Sequence, residues 1–334
     1  MGAALRRLCA LALIALPAAA DAAPVAAVDA TGHRIELASP AERIVSLAPH
    51  ATELLFAAGA GARVVGVLAP ADFPSEAKAL PRVGDSARLD FERILALKPD
   101  LAVAWPYLAA GQIERLRALS IPVFVSDPRT PGAIADDLEA LGALAGTSST
   151  AVRAAAALRL RLAALERRER GSAKITVFYE IWPAPLYTIG GRHLISAALD
   201  LCGGENVFAR LAMPAPQVGI EDVLAALPEA ILFGTDDAVR PDALDDWRRW
   251  PALPAVAYGN LFVVDANLLH RAGPRFIAGT EALCAALDTA RTNRSRQAPS
   301  GRKQGSASDP DGLERYSGAN TAPRGVDSAR SATP

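Results

Sequence analysis

The chain has 334 residues, 51% of them apolar and 21% charged, with a formal net charge of −1. That length and apolar share suffice for one large core or two moderate ones. Balanced charge, with no basic stripe interleaved with aromatics, excludes a nucleic-acid footprint and offers nothing to a strongly acidic partner.

The first residues carry Arg6 and Arg7 ahead of an apolar run, then Pro17 and the small-residue pattern Ala20-Asp21-Ala22. The run is short for a bilayer span, so residues 1–22 read as a secretory signal cleaved after Ala22, with a membrane anchor as the alternative. Cleavage takes Cys9 away and leaves Cys202 and Cys284 in an oxidising compartment. A disulfide between them is expected, two buried thiols being the alternative.

Over residues 23–147 the pattern is strand, turn, helix, repeated. His33 falls in an N-terminal hairpin. "RIVSLA" reads as a buried strand, "PHATELLFAAGA" as a helix closed by Gly59, and "RVVGV" as the next strand. A proline-rich loop leads to the helix "DFERILALK", the strand "LAVAW", the helix "QIERLRAL" and the strand "IPVFVS". Strands alternating with helices at this spacing imply parallel pairing with both sheet faces covered.

Residues 148–171, "SSTAVRAAAALRLRLAALERRERG", are strong helix formers stopped by Gly171. At about 1.5 Å per residue this helix runs roughly 30 Å and makes a stiff bridge. The same grammar restarts over 172–290. It gives the strand "ITVFYEIW", the helices "HLISAALDLCGG" and "IEDVLAAL", the strands "EAILFG" and "NLFVVD", and the closing helix "RFIAGTEALCAALDTA". Residues 291–334 are mainly Gly, Ser, Pro, Arg and Asn, too poor in apolar groups to offset the entropy of ordering, and are expected to be disordered.

Two segments echo each other. "FERILALKPDL" at 91–101 lies on "IEDVLAALPEA" at 220–230 without a gap, with Glu92 on Glu221, Leu95 on Leu224, Pro99 on Pro228 and Asp100 against Glu229. The two lobes therefore share a plan. No G-x-S-x-G elbow, phosphate-binding G-x-x-x-x-G-K-[ST], H-E-x-x-H or G-x-G-x-x-G supports an enzyme reaction.

Two α/β lobes on one long helix, with "RIVSLAPHATELLFAAGAGARVVGV", "FERILALKPDLAVAW" and "CGGENVF", resemble the helical-backbone (class III) periplasmic substrate-binding proteins, and within them the cobalamin branch. The resemblance covers roughly residues 43–290. It implies an α/β fold of two Rossmann-like lobes with parallel sheets joined by one long α-helix. It further implies a periplasmic monomer that captures a corrinoid, such as vitamin B12, between the lobes. Delivery would be to the permease dimer of an ABC importer, with membrane contact only through that transporter and no cofactor or resident metal. A haem- or iron-siderophore-binding protein of the same class is the first alternative, and a secreted α/β enzyme of unknown reaction the second.

In that class one glutamate per lobe docks on arginine pockets of the two permease subunits, and the matching positions are Glu92 and Glu221. A twofold gate has two equal sockets, which a pseudo-symmetric pair of carboxylates fills. The alternative is that each acid only complements a helix dipole. Ligands of open parallel sheets gather at the carboxyl ends of strands, which puts His50, Trp105, Tyr179, Trp182, Asn267, His270 and Arg271 at the cleft. Trp105 matches a family tryptophan that lies against the corrin, and Asn267 to Arg271 a second contact stretch in which Asn267 replaces an acid. Pro70, Ser86 and Ala215 stand where the family has cage aromatics, a loss that Tyr107, Tyr179 and Trp182 partly restore. His50 is a candidate cobalt or metal ligand through a neutral imidazole, against a plain hydrogen-bonded histidine; His193 reads as structural support. Tyr107 or Tyr179 is the candidate ligand in the haem alternative.

Overall fold

The computed structural model describes residues 23–235 and 244–297. The proposed signal segment and the chain beyond residue 297 lie outside the described residues. The first lobe opens with an antiparallel hairpin of β1 (Val25–Val28) and β2 (Arg34–Leu37). There follow β3 (Ile44–Ser46), α1 (Pro49–Ala57), β4 (Val64–Val67), α2 (Phe91–Ala96), β5 (Leu101–Ala104), α3 (Gln112–Ala118), β6 (Val123–Val125) and α4 (Ala133–Leu144). Strands β4-β3-β5-β6 form a wholly parallel sheet.

The apolar runs of β3, β5 and β6 are buried at every residue because helices cover both faces. Alternate side chains divide the work. Ile44, Leu101 and Val103 pack with Leu54 of α1, while Val45 and Ala102 pack with Ile94 of α2 and Leu116 of α3.

The bridging helix α5 (Ser148–Glu169) buries Ala151, Ala155, Leu158, Leu162 and Leu165, one stripe at helical spacing. Its contact with α4 is close: a Cβ added to Gly142 would lie 2.2 Å from the Ala151 Cβ. The stripe joins a single core that includes Leu54 and Val103 of the first lobe and Ile175, Val177, Leu232 and Leu287 beyond it. The bridge, read from sequence as stiff, is also a packed spine shared by both lobes.

The second lobe comprises β7 (Ile175–Pro183), β8 (Leu186–Thr188), α6 (Leu194–Leu201), β9 (Gly204–Asn206), α7 (Ile220–Ala226), β10 (Ala230–Thr235), α8 (Asp245–Arg248), α9 (Pro254–Ala257), β11 (Leu261–Asp265), α10 (Ala266–Leu269) and α11 (Phe276–Gln297). Its sheet runs β11-β10-β7-β8, with β9 also on β7. Purely parallel pairing does not hold here. Only Ala184 and Pro185 separate β7 from β8, and so short a connection forces the antiparallel return that is seen. Cys202 and Cys284 form a disulfide between the end of α6 and α11. Closing a loop of 82 residues stabilises by roughly 4 kcal/mol in the chain-entropy account.

Ordered structure continues past the expected boundary at Arg291. Arg291 donates to Ala173 O at 2.8 Å and pairs with buried Glu169, while Arg294 donates to Lys174 O at 2.8 Å and to Glu229 at 2.9 Å. These polar residues are anchored by carbonyls and carboxylates of the fold, so low apolar content did not leave them unattached. No helix among the described residues is long and apolar enough to cross a membrane.

The sequence echo is a structural one. Ile94 and Val223 are each fully buried at matching positions, and α2 and α7 are each followed by a non-glycine residue in the left-handed region, Lys98 at φ 48° and Leu227 at φ 47°. Next comes an acid that staples the neighbouring strand. The Asp100 carboxylate accepts from the N–H groups of Glu42 and Arg43 at 2.8 and 3.0 Å, ahead of β3. The Glu229 carboxylate accepts from the N–H of Thr176 on β7 at 3.1 Å.

Candidate functional site

The carboxyl ends of β3, β5 and β6 deliver His50, Trp105 and Ser126 to one side of a cleft. Across it stand Ile181 of β7, His193 and Leu194 at the start of α6, and His270 after α10. The cleft has two adjoining parts, about 300 Å³ and about 240 Å³, and His50, Trp105 and His270 belong to the walls of both. Pro70, Asn267 and Arg271 line the smaller part. The Trp105 indole meets Tyr107 edge-on at 5.2 Å between centroids, which gives the larger part an apolar wall. Its N–H is buried with no acceptor among the described residues.

Two expected residues line neither part. The pairing of β7 with β8 shifts register between Glu180 and Trp182, and Trp182 is exposed outside both parts, whereas Ile181 lines the larger one. There its indole donates to Ala184 O at 3.0 Å. Tyr179 shares the parity of Ile181 but is fully buried, with its hydroxyl 3.0 Å from His270 Nε2. Burial, helped by Asp265, raises its phenol pKa, so it supports His270 from behind as a neutral group.

Charge at the cleft is local. Arg129 donates to Asp127 at 2.7 Å, and both line the larger part together with Arg192. His50 is held at Nε2 by Ser126 Oγ at 3.2 Å, and Ser126 Oγ donates to Asp137 Oδ2 at 2.5 Å. Burial lowers the His50 pKa to about 4 against a smaller opposing pull from the Ser126 backbone. Burial likewise pushes Asp137 up to about 7, against its bond from Ser126. No group of three or more His, Cys, Asp or Glu converges as a metal site among the described residues.

At the edge of the smaller part, Glu53 of α1 reaches across to the second lobe. Its carboxylate takes two bonds from Arg275, at 2.6 and 3.0 Å, and lies 3.6 Å from Arg271, which also pairs with Asp72. Arg275 stacks over the Phe73 ring at 3.8 Å. Arg271 is thus both a wall of the cleft and half of a clamp between lobes. Neither the clamp nor the Ser126–Asp137 pair carries a motif or a period in sequence, since the clamp joins residues 222 apart and the pair joins a strand end to the helix that follows it.

His193, expected as support, has both tasks: its Nδ1 accepts from the Ile195 N–H at 3.1 Å as the cap of α6, and its ring lines the cleft. Burial lowers its pKa to about 4, with smaller effects in the same direction from the neighbouring His270 and Arg129. An unfolded histidine takes its proton near pH 6.5 whereas the folded one does so only near 4, so this group costs stability as pH falls through that window. His193→Asn, which retains a capping oxygen, is expected to flatten the pH dependence of urea unfolding between pH 6.5 and 4 by up to about 3 kcal/mol. An unchanged slope removes His193 as its source.

Comparisons with known proteins follow the same outline. A model of the family described as "Periplasmic binding protein" matches residues 44–268. The chain is 38% identical over 256 residues to a vitamin B12-binding protein of Vibrio cholerae, covering 75% of this chain and 91% of that one. It superposes on the crystal structure of the periplasmic vitamin B12 binding protein BtuF of Vibrio cholerae with a TM-score of 0.71 at 36% identity, covering 75% of this chain and 98% of that one. It is also similar to the apo form of the periplasmic heme-binding protein RhuT from Roseiflexus sp. RS-1, with a TM-score of 0.65 at 26% identity, over 75% of this chain and 99% of that one.

Proposed function

The chain belongs to the periplasmic binding protein family, among its vitamin B12-binding members, and from that premise we propose that it captures a corrinoid in the inter-lobe cleft and delivers it to an ABC importer. The observation that carries this reading is the 38% identity over 256 residues to a vitamin B12-binding protein, together with a cleft walled by Trp105 and Tyr107 on one side and by Asn267 and Arg271 on the other. The corrin plane would rest against Trp105 with Tyr107 at its border, and the polar groups of Asn267 and Arg271 would meet its amide side chains. Glu92 and Glu221 are the proposed contacts with the two halves of a permease dimer, and the receptor would act as a monomer.

Haem binding is the reading to separate from it, since a heme-binding protein shares the fold. Titration of the full chain with cyanocobalamin, cobinamide and haemin, followed by visible absorbance and calorimetry, makes the distinction. Expected is one-to-one corrinoid binding with Kd below about 1 µM, near −8 kcal/mol, and no saturable haemin binding. Saturation by haemin with no heat from either corrinoid overturns the ligand assignment and leaves the family intact.

A further inference from the structure

His50 is placed for more than contact. Among the described residues it is the one side chain of the first lobe besides Trp105 that walls both parts of the cleft. Its imidazole is held from behind in series, Nε2 by Ser126 and Ser126 by Asp137. A hydroxyl and a carboxylate behind one ring nitrogen are what orients a metal-ligating histidine and fixes its tautomer. When Nε2–H donates to Ser126 and the Ser126 hydroxyl donates to Asp137, the lone pair resides on Nδ1. The ring also has the right attitude. It lies 5.8 Å from Trp105 and is tilted 60° to the indole, so toward a macrocycle resting on Trp105 it presents an edge rather than a face.

We propose that His50 ligates the cobalt of the bound corrinoid through Nδ1, with Ser126 and Asp137 as positioning residues. The inference rests on the corrinoid reading above. The step is a ligand exchange: the neutral imidazole lone pair forms a cobalt–nitrogen bond, a cobalt–oxygen bond to an axial water breaks, and that water leaves intact with cobalt's oxidation state unchanged. Its consequence for specificity is a preference for corrinoids with an open axial position, such as cobinamide, over those whose own base already fills it.

The test uses the full chain with diaquocobinamide, which has no nitrogen base of its own. Expected are a shift of its visible bands on binding and, after reduction to Co(II), a nitrogen triplet in the EPR spectrum that becomes a doublet when the histidines carry ¹⁵N. His50→Ala should abolish the nitrogen splitting and weaken diaquocobinamide roughly 10- to 100-fold more than it weakens cyanocobalamin, whose axial positions are already filled. His50→Gln, which keeps a bond to Ser126, guards against a folding defect and should behave alike. Ser126→Ala should keep the splitting but weaken diaquocobinamide about tenfold. Binding without nitrogen splitting, or splitting that survives in both His50 variants, overturns the ligation alone. A chain that binds no corrinoid overturns the corrinoid reading and the ligation with it.

Discussion

Reversing both echoed carboxylates, Glu92→Arg with Glu221→Arg, is expected to lower importer-dependent corrinoid uptake by at least about 100-fold while leaving affinity in solution within about twofold. Neither acid makes the capping bond of its own helix. The cap of α2 is Asp90, which accepts from the Arg93 N–H at 2.9 Å, and at α7 Asp222 accepts from the Gly219 N–H at 2.9 Å. Glu92 and Glu221 are exposed and make no hydrogen bond or ion pair among the described residues. Two unpaired carboxylates at one register of two related lobes are costly to nothing in the fold and available to a basic partner. Placing arginine against arginine costs several kcal/mol per contact, and each 1.4 kcal/mol is tenfold in affinity. Either single reversal should give an intermediate loss. Uptake that is unchanged in the double variant, measured in cells or in proteoliposomes, removes the docking role while the ligand assignment stands.

Removing the Glu53 carboxylate, as in Glu53→Ala, should cost about 3 to 5 kcal/mol of stability, because it leaves two guanidinium groups without their buried counter-charge. Only 1% of the Glu53 side chain is exposed, whereas Arg275 and Arg271 retain 26% and 15%. Arg271 keeps its pair with Asp72, and Arg275 keeps its stack on Phe73, which sets the loss toward the lower part of that range. In a lobe pair of this size the melting temperature should fall by roughly 10 °C. Glu53→Gln should lose less, since an amide oxygen still accepts from Arg275. A shift under about 2 °C for Glu53→Ala would mean that the clamp is solvated in solution. Added corrinoid should recover part of the loss, as binding to the folded state raises stability by mass action.

Most of the framework was legible because it is periodic. Unbroken apolar runs announced β3, β5 and β6, and the Ala-, Leu- and Arg-rich stretch announced α5. Where the reading fell short, local pattern was not the deciding force. β8 and β9 are three residues each, too short for any period, and depend on β7 for their hydrogen bonds. The end of α11 is kept by Arg291 and Arg294 reaching carbonyls that sequence composition does not weigh. Of the residues expected at the cleft, His50, Trp105 and His270 line its walls at the ends of strands or just beyond them, whereas Trp182 follows a register shift in β7 that no sequence period announces and lies outside both parts. Arg129, Arg192 and Glu53 lie in segments whose meaning comes only from the partner that folding brings to them.

The shared core beneath both lobes has a consequence for traffic. A hinge that pivots on Ala151, Leu158 and Leu162 would have to tear an oily seam that also includes side chains from either half, so wide gaping is costly. On the proposed reading, an empty carrier would show the importer nearly the same outline as a full one. Unladen copies would then queue at the same doorway, and the flux of cargo would depend on the fraction of carriers that arrive loaded.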